Sequence, residues 1–292
     1  MSKTKYISPT TGKAIKATPK DGGWGHLYIY FIALCLIAVM IVPVLYIIIG
    51  GFRSNGQMTL DPSGWPKPWI FSNYWAVLTG KTFWLEAWNS LFIALVTSVA
   101  VVVFGVMASF VLARYRFRGR NAIYMLFASG LMFPLAVAIT PLYIMVVKSP
   151  LANTPWGVIL PQVAFGLPQT IIILVPFLRV IPLEIEEAAT VDGCSRLGFF
   201  ARMVIPLSMP GVITVAILNF VGSWNSYLLP LYMFSDPSKY TLPLGVQVFS
   251  TQYVQNTAQI LAFTSLGMLP ALIFFSIFER RIVGGLTGAV KG

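Results

Sequence analysis

A short charged segment, EEAATVDGCSRLGFFARMVIP, interrupts a chain that is otherwise almost continuously apolar. Its carboxylates can accept hydrogen bonds from basic groups of a partner protein, and its small residues allow a close approach. The candidate contact residues are Glu187, Ala188, Ala189, Asp192, Gly193 and Pro206. Phe199, Phe200 and Met203 add apolar contacts to the same segment. The alternative is a solvated loop that lies against its own membrane domain, since many charged stretches are only solvated faces.

A second group of polar side chains lies in the apolar stretch that follows. Asn219, Gly222, Ser223 and Ser226 are spaced i, i+3, i+4 and i+7, so on a helix they share one face. Amides and hydroxyls on such a face can bond the hydroxyls of a solute, and aromatic rings can stack on a sugar ring. The candidate path residues are Asn219, Ser223, Trp224, Asn225 and Tyr227. The alternative is helix packing through small and amide side chains.

The sequence has no arrangement of residues that is typical of an enzyme or a metal site. Its single histidine, His26, stands at the edge of an apolar stretch, and no Cys, His and carboxylate cluster has metal-ligand spacing. The segment LTGKT ends like a phosphate-binding loop, but Trp75 stands where that motif requires glycine. We therefore expect no catalytic residue, metal or cofactor in this chain.

The elements that must position these residues are long apolar segments. The chain is 57% hydrophobic and 10% charged, which lies outside the range of soluble domains. About 20 apolar helical residues span a bilayer core of about 30 Å. Six windows have that length without an acidic or basic residue: 27–51, 88–113, 122–147, 157–178, 210–234 and 259–278.

These windows predict an all-α, polytopic membrane protein with six transmembrane helices. The predicted parts are an N-terminal tail at 1–26, the transmembrane domain at 27–278 with a loop at 179–209 between helices four and five, and a C-terminal tail at 279–292. Ion-driven carriers usually place charged residues inside their spans, so the uncharged windows weigh against an ion-driven mechanism. Prolines inside the first, third and fourth windows favour an internal path with moving helices.

The net charge of +11 reflects membrane orientation rather than nucleic-acid binding. When the connecting segments are grouped by alternate side, fifteen Lys and Arg residues fall on the side of both termini and five on the other. Because positive charge is enriched on the cytoplasmic side of membrane proteins, both termini are predicted to be cytoplasmic.

The charged segment itself carries the signals of two short helices. Pro182 is suited to the first helical position, and glutamates follow in the first turns, where the helix dipole favours anions. Gly193 can adopt the left-handed conformation that ends a helix, and Ser195 can cap a second helix that stops at Pro206. The loop is therefore predicted to be a helix-turn-helix that projects into the cytoplasm.

The same segment resembles the signature of permease subunits of binding-protein-dependent ATP-binding-cassette importers. That signature is Glu-Ala-Ala, three residues, Gly, nine residues, Ile, any residue, Leu-Pro. Glu187-Ala188-Ala189, Gly193 and Pro206 match it, while Met203 and Ile205 replace the usual Ile and Leu with side chains of similar size. The segments SWNSYLLPL and RRIVGGLTGAVKG look like those of the maltose-type sugar permeases, and the resemblance covers about the last two thirds of the chain.

The resemblance implies a division of labour between subunits. It implies a second homologous permease subunit, two cytoplasmic ATPase subunits that bind ATP and Mg²⁺, and an extracellular solute-binding protein. The loop would act as a coupling loop, with Glu187 contacting one ATPase. This chain would then be no enzyme but half of the path through the cell membrane, surrounded by lipid, for a sugar, with di- or oligosaccharides favoured.

Other functions stay open on the sequence alone. Importers of glycerol phosphate or another polyol share these motifs, although a path for glycerol phosphate should carry a basic residue. A membrane-embedded enzyme or scaffold that recruits a soluble partner would need polar catalytic residues at membrane depth. A stand-alone secondary carrier is disfavoured by the uncharged windows and by the lack of an evident internal repeat.

Overall fold

The computed structural model of this chain describes the backbone of residues 6–7, 14–15, 23–249 and 256–290, and the side chains of residues 28–249 and 256–277. The side chains of the C-terminal segment 280–292, those of residues 23–27 and most of the predicted N-terminal tail lie outside the described residues. The chain forms two units, Met1–Tyr46 and Ile47–Gly292.

The first unit contains two antiparallel strands of two residues each and most of the first helix. Strand β1 (Tyr6–Ile7) pairs with β2 (Ala14–Ile15), so that Tyr6 lies opposite Ile15. Helix α1 (Gly23–Gly50) follows.

The second unit contains the other helices. They are α2 (Asn55–Leu60), α3 (Ser72–Thr79), α4 (Lys81–Arg114), α5 (Arg120–Gly130), α6 (Leu135–Val147), α7 (Pro155–Arg179), α8 (Leu183–Val191), α9 (Arg196–Phe199), α10 (Ile205–Leu207), α11 (Met209–Trp224), α12 (Leu228–Met233), α13 (Leu242–Gly245) and α14 (Thr257–Val290).

The helices confirm the predicted class of an all-α, polytopic membrane protein. Within the described residues, α1, α4, α7 and α14 are each long and apolar enough to cross a membrane. Two bent pairs also meet that test, one formed by α5 with α6 and one by the segment Arg196–Leu207 with α11, which gives up to six spans.

The third predicted window, 122–147, is not one helix. Helix α5 ends at Gly130, α6 begins at Leu135, and the two are bent by 97°. Pro134 is the cause, because it has no N–H to continue the helix and its ring would clash with the carbonyl of Gly130, four residues earlier. The break turns a predicted straight span into a bent one.

The fifth predicted window, 210–234, is also divided. Helix α11 ends at Trp224 and α12 begins at Leu228. Pro230 cannot donate to the carbonyl of Ser226, and its ring would clash with that carbonyl in a continuous helix. Pro230 is tolerated in the first turn of α12, where backbone N–H groups lack helical partners.

The second predicted window, 88–113, is shorter than the helix that contains it. Helix α4 has 34 residues, so its length of about 50 Å at about 1.5 Å per residue exceeds a hydrocarbon core of about 30 Å. Its first turns therefore take in Glu86, which the search for uncharged windows placed outside the span. The Glu86 side chain is fully buried, and neither carboxylate oxygen has a hydrogen-bond partner in the described structure.

The core of the second unit forms where α4 packs against α7 and α11. Val101 on α4 and Val158 on α7 are completely buried there. The Ser98 hydroxyl donates to the Ala216 carbonyl at 2.8 Å, which ties α4 to α11. A hydroxyl that bonds a backbone carbonyl of the neighbouring helix is satisfied without water, as membrane depth requires.

Gly105 permits the close approach of α4 to α7, and its replacement is expected to destabilise the protein. A Cβ atom at Gly105 would overlap the methyl group of Thr170, a buried residue whose hydroxyl also accepts a hydrogen bond from Asn219 at 3.0 Å. Gly105→Ala should cost about 1–3 kcal/mol of stability, since overpacking forces such shifts. Thermal unfolding in detergent measures this as a lower midpoint.

Gly222→Ala is the matched control, because a Cβ atom there meets nothing within 4 Å. Alanine is favoured over glycine inside a helix by about 0.5–1 kcal/mol, so this variant should keep or raise the midpoint. Equal midpoints for both variants would contradict the close packing of α4 on α7.

Candidate coupling loop and solute path

The charged segment forms the predicted pair of helices. Helix α8 carries Glu184 and Glu186 in its first turn, and Gly193 adopts a left-handed φ of 73° just after the helix. The Ser195 hydroxyl accepts a hydrogen bond from the Gly198 N–H at 3.1 Å and so caps α9. These local features confirm the helix, the turn and the cap, with Pro182 as the N-cap residue instead of the first helical residue.

The second helix ends at Leu207, one residue beyond the predicted stop at Pro206, and the chain then bends by 77° into α11. After α9 the chain forms one π-helical segment, Phe200–Val204, and continues as α10 to Leu207. Pro206 cannot donate to the carbonyl of Arg202, and the Ile205 N–H bonds the Phe200 carbonyl five residues back. A wider turn absorbs the proline without ending the helix.

One face of this loop packs against the chain's own membrane domain. Ala189 is 6% exposed and joins a buried cluster with Phe110 of α4, Leu178 of α7 and Phe199 of α9. The expectation that Ala189 and Phe199 belong to a partner-facing surface is therefore wrong. Their small and apolar side chains instead hold the loop down on the ends of two membrane helices.

Arg114 anchors the loop to the end of α4. Its guanidinium donates to the Glu186 carboxylate at 2.7 and 3.0 Å and to the Ile181 carbonyl at 2.6 Å. The Arg114 side chain is 3% exposed and that of Glu186 is 31% exposed, so the ion pair is largely shielded from water. The sequence analysis missed this pair because its members are 72 residues apart.

The opposite face of the loop is exposed. Glu187, Ala188, Asp192 and Gly193 lie there as predicted for a contact surface. Val191 is 87% exposed and Leu197 is 79% exposed beside them. Carboxylates flanked by exposed apolar side chains suit a protein contact that combines apolar burial with hydrogen bonds to basic groups. We refer below to these six residues, Glu187, Ala188, Val191, Asp192, Gly193 and Leu197, as the outer face of the loop.

A polar cavity of about 200 Å³ lies between α4, α7 and α11. The predicted stripe of Asn219, Gly222, Ser223 and Ser226 lines it, which confirms that these residues share one face. Gln169 and Gly222 are exposed, so the cavity opens at the surface of the chain. Polar groups at membrane depth must face protein or water and not lipid.

Gln162 organises this polar cavity. Its side-chain carbonyl accepts hydrogen bonds from Ser223 at 2.6 Å and from Thr97 at 3.1 Å. Its amide nitrogen is buried and has no partner in the described structure, which leaves a donor for another molecule. The signal that could have identified Gln162 is its helical spacing with Gly166 and Gln169, at i, i+4 and i+7, which places all three on the face of α7 that lines the cavity.

The other candidate path residues lie at a second, larger cavity. This cavity of about 450 Å³ is lined mainly by apolar side chains, with Asn225 and Tyr227 among its polar ones. Trp224 also lines it but is 5% exposed and stacks on Phe220 at 6.0 Å between ring centroids. The expectation that Trp224 offers a free ring face for stacking is therefore wrong, because its ring belongs to the core.

The connection between α12 and α14 is held by two polar residues of α4. The Asn89 amide donates to the carbonyls of Ser238 and Tyr240 at 2.9 Å each, and the Ser90 hydroxyl accepts from the Leu242 N–H at 2.8 Å. In the same connection the Ser238 N–H bonds Asp236 at 2.9 Å and lowers the pKa of that carboxyl. Asn89 and Ser90 are adjacent polar residues in an apolar window, and this pattern could have indicated a contact between α4 and another part of the chain.

Among the described residues, no group of three or more His, Cys, Asp or Glu side chains is placed to hold a metal ion.

The arrangement of these helices is similar to that of a solved structure. The structure matches a bacterial ATP-binding-cassette transporter involved in the import of the acidic polysaccharide alginate with a TM-score of 0.75 and 21% identity, over 90% of this chain and 99% of that chain. At that identity the match establishes the fold alone.

The family follows from the sequence comparisons. Residues 102–284 match the family "Binding-protein-dependent transport system inner membrane component", and the chain belongs to it. It is 34% identical over 251 residues to a diacetylchitobiose uptake system permease protein of Streptomyces coelicolor, covering 85% of this chain and 83% of the relative. It is 35% identical over 260 residues to a trehalose transport system permease protein of Mycobacterium tuberculosis, covering 88% and 94% respectively.

Proposed function

We propose that this chain is a permease subunit that forms half of the membrane path of an ATP-driven importer for a di- or oligosaccharide. The family membership supports the transport role, and relatives for diacetylchitobiose and trehalose support the class of solute. The observation that carries the proposal within the structure is the polar cavity with the unpartnered amide of Gln162. A sugar hydroxyl is a suitable acceptor for that N–H.

The outer face of the coupling loop is proposed to contact a cytoplasmic ATPase subunit. Both termini, at 1–26 and 279–292, would lie on the same side, as the charge asymmetry indicates. A second permease, two ATPase subunits that bind ATP and Mg²⁺, and an extracellular binding protein would complete the transporter. Nucleotide binding must favour one arrangement of the permeases over the other, because a ligand with equal affinity for both shifts nothing.

Helix α4 would transmit motion between the loop and the path. Arg114 at its end holds the loop, and Thr97 at its middle bonds Gln162 in the polar cavity. A displacement of the loop would therefore move a helix that lines the path, which gives ATP-driven motion a continuous mechanical connection.

A neutral solute is favoured over glycerol phosphate. The lining of the polar cavity contains no charged side chain among its described residues. An anionic solute would lose its hydration there without gaining a cation, which is unfavourable. A polyol remains compatible with the cavity, since it offers the same hydroxyl groups.

Replacement of Gln162 tests which cavity belongs to the path. Gln162→Leu keeps side-chain size but removes the free amide together with the carbonyl that accepts from Ser223 and Thr97, and a neutral hydrogen bond contributes about 0.5–1.5 kcal/mol. Apparent affinity for the sugar in ATP-dependent uptake should fall by about 3- to 10-fold, with ATPase copurification unchanged.

Tyr227→Phe is the control at the larger cavity, where the Tyr227 hydroxyl accepts from Gln247 at 3.1 Å. It should leave the apparent affinity within about twofold, because the account places no sugar contact there. If Tyr227→Phe changes the affinity and Gln162→Leu does not, the path runs along the larger cavity and the assignment is wrong.

A further inference from the structure

The turn between α4 and α5, residues 115–119, and the first residue of α5 carry three arginines that the proposed transport function does not use. Arg114 is bound by Glu186, but Arg116, Arg118 and Arg120 have neither an ion-pair partner nor a side-chain hydrogen bond among the described residues. A concave space of about 270 Å³ opens beside this turn. It is lined by Arg116, Phe117, Gly119, Arg120, Asn121 and Ala122.

Arg120 presents a donor that water does not reach. Its Nε atom is buried and has no hydrogen-bond partner in the described structure. A buried donor without an acceptor costs about 1–3 kcal/mol, and native proteins rarely leave one unpaired. Because the Arg120 side chain is only partly buried as a whole, a change of its rotamer would bring this donor to an acceptor of another molecule and remove that cost.

The start of α5 needs an acceptor at the same place. Its N-cap residue is Gly119, with a left-handed φ of 87° and no side chain to accept from the N–H groups of Asn121 and Ala122, while the Arg120 N–H donates to the Phe117 carbonyl at 3.3 Å. Helix N-termini with free N–H groups bind phosphate and other anions, and arginine adds charged, two-pronged hydrogen bonds. The guanidinium of Arg120 and the uncapped helix end thus favour one tetrahedral anion between them.

The surroundings place this anion at the membrane surface. The turn follows directly after the apolar helix α4, and the next turns of α5 expose Ile123, Met125 and Leu126. Exposed apolar side chains beside a cationic pocket match a molecule with both an acyl chain and a charged head. The arginines could serve only to orient the chain in the membrane. That role depends on the number of positive charges, and it explains neither the concave space that Arg116 and Arg120 line nor the buried Nε atom of Arg120.

We propose that this pocket binds the phosphate of an anionic phospholipid headgroup in the cytoplasmic leaflet. The leaflet follows from the charge asymmetry of the chain, and the site is independent of the transported solute. Arg116 and Arg120 would bond the phosphate oxygens, and the start of α5 would complete the contact.

Lipid retention by the assembled transporter tests the site. The complex is reconstituted in nanodiscs of phosphatidylcholine and phosphatidylglycerol, extracted with detergent, and its bound lipids are quantified by mass spectrometry. Phosphatidylglycerol should be retained over phosphatidylcholine, and Arg120→Gln should lower this preference by at least about tenfold, the equivalent of about 1.4 kcal/mol.

Arg118→Gln is the matched control, since Arg118 belongs to the same turn but does not line the pocket. It removes the same charge and should keep the preference within about twofold. An equal loss of the phosphatidylglycerol preference in both variants would show that net charge alone causes the preference, and it would contradict a specific site. Variants are compared only as assembled complexes of equal thermal midpoint. Arg116→Gln provides a second variant in the lining of the pocket.

Competition with inorganic phosphate distinguishes the two sources of the anion. The account predicts that phosphate in the buffer leaves the retained phosphatidylglycerol unchanged, because the acyl chain contributes to binding. Complete displacement of the lipid by inorganic phosphate, or no preference for phosphatidylglycerol at all, would overturn a lipid site.

Discussion

Glu187→Ala in the assembled transporter is expected to lower ATP-dependent sugar uptake by at least about tenfold. Glu187 is exposed on the outer face of the loop and makes no hydrogen bond or ion pair among the described residues, so its carboxylate is available to a partner. Truncating one member of a buried, hydrogen-bonded charge pair at an interface costs about 2–5 kcal/mol. Uptake into proteoliposomes and copurification of the ATPase subunit measure this loss together.

Glu184→Ala provides the control for this variant. Glu184 is an exposed carboxylate on the same helix, one turn earlier, and its loss removes the same charge. Uptake should stay within about fivefold of the unmodified transporter, because exposed charges contribute about 1 kcal/mol or less. If Glu187→Ala retains both uptake and the ATPase subunit, the loop is a solvated turn and the coupling role is wrong.

Arg114→Ala is expected to release the loop from α4. The variant removes the ion pair with Glu186 and the bond to the Ile181 carbonyl, at a cost of about 1–3 kcal/mol given the partial exposure of Glu186. Cys194 reports the release, because it packs partly buried against the cluster under the loop. With Cys35 replaced by serine, the rate of Cys194 alkylation should rise by about fivefold or more.

Two further variants make the Arg114 result specific. Lys148→Ala removes an exposed positive charge at the end of α6 and should leave the alkylation rate unchanged. Arg114→Lys keeps the charge but not the fork of donors, so it should give an intermediate rate. An unchanged rate for Arg114→Ala would show that apolar packing alone holds the loop.

The ends of the loop helices could be predicted because their signals are local. Gly193 and Ser195 each act on backbone groups within a few residues, and both were found in the predicted role. The shared face of Asn219 and Ser223 could be predicted for a similar reason, since helical spacing alone determines which residues lie side by side.

Other features depend on contacts that the local pattern does not contain. The orientation of Ala189 toward the core is determined by Phe110 and Leu178, which come from two other helices. Trp224 and Asn225 are adjacent in sequence, yet the first is buried in the core and the second is exposed at a cavity. The role of Gln162 arises only where α4 and α11 approach α7.

The sequence shows which windows contain prolines but not whether a helix breaks at each of them. Helix α5 ends four residues before Pro134, and α11 ends six residues before Pro230. Pro161 and Pro168 lie inside α7, which continues through both. A proline in an apolar window therefore indicates a weak point of the helix, and packing against neighbouring helices determines whether the helix breaks there.

The most direct test of the account is uptake of labelled di- and trisaccharides by proteoliposomes that contain this chain with its partner permease and ATPase subunits. The account predicts uptake that requires both ATP and the solute-binding protein, and that unlabelled oligosaccharide competes while glycerol phosphate does not. Uptake that proceeds without ATP, or uptake of glycerol phosphate in preference to every oligosaccharide, would contradict it.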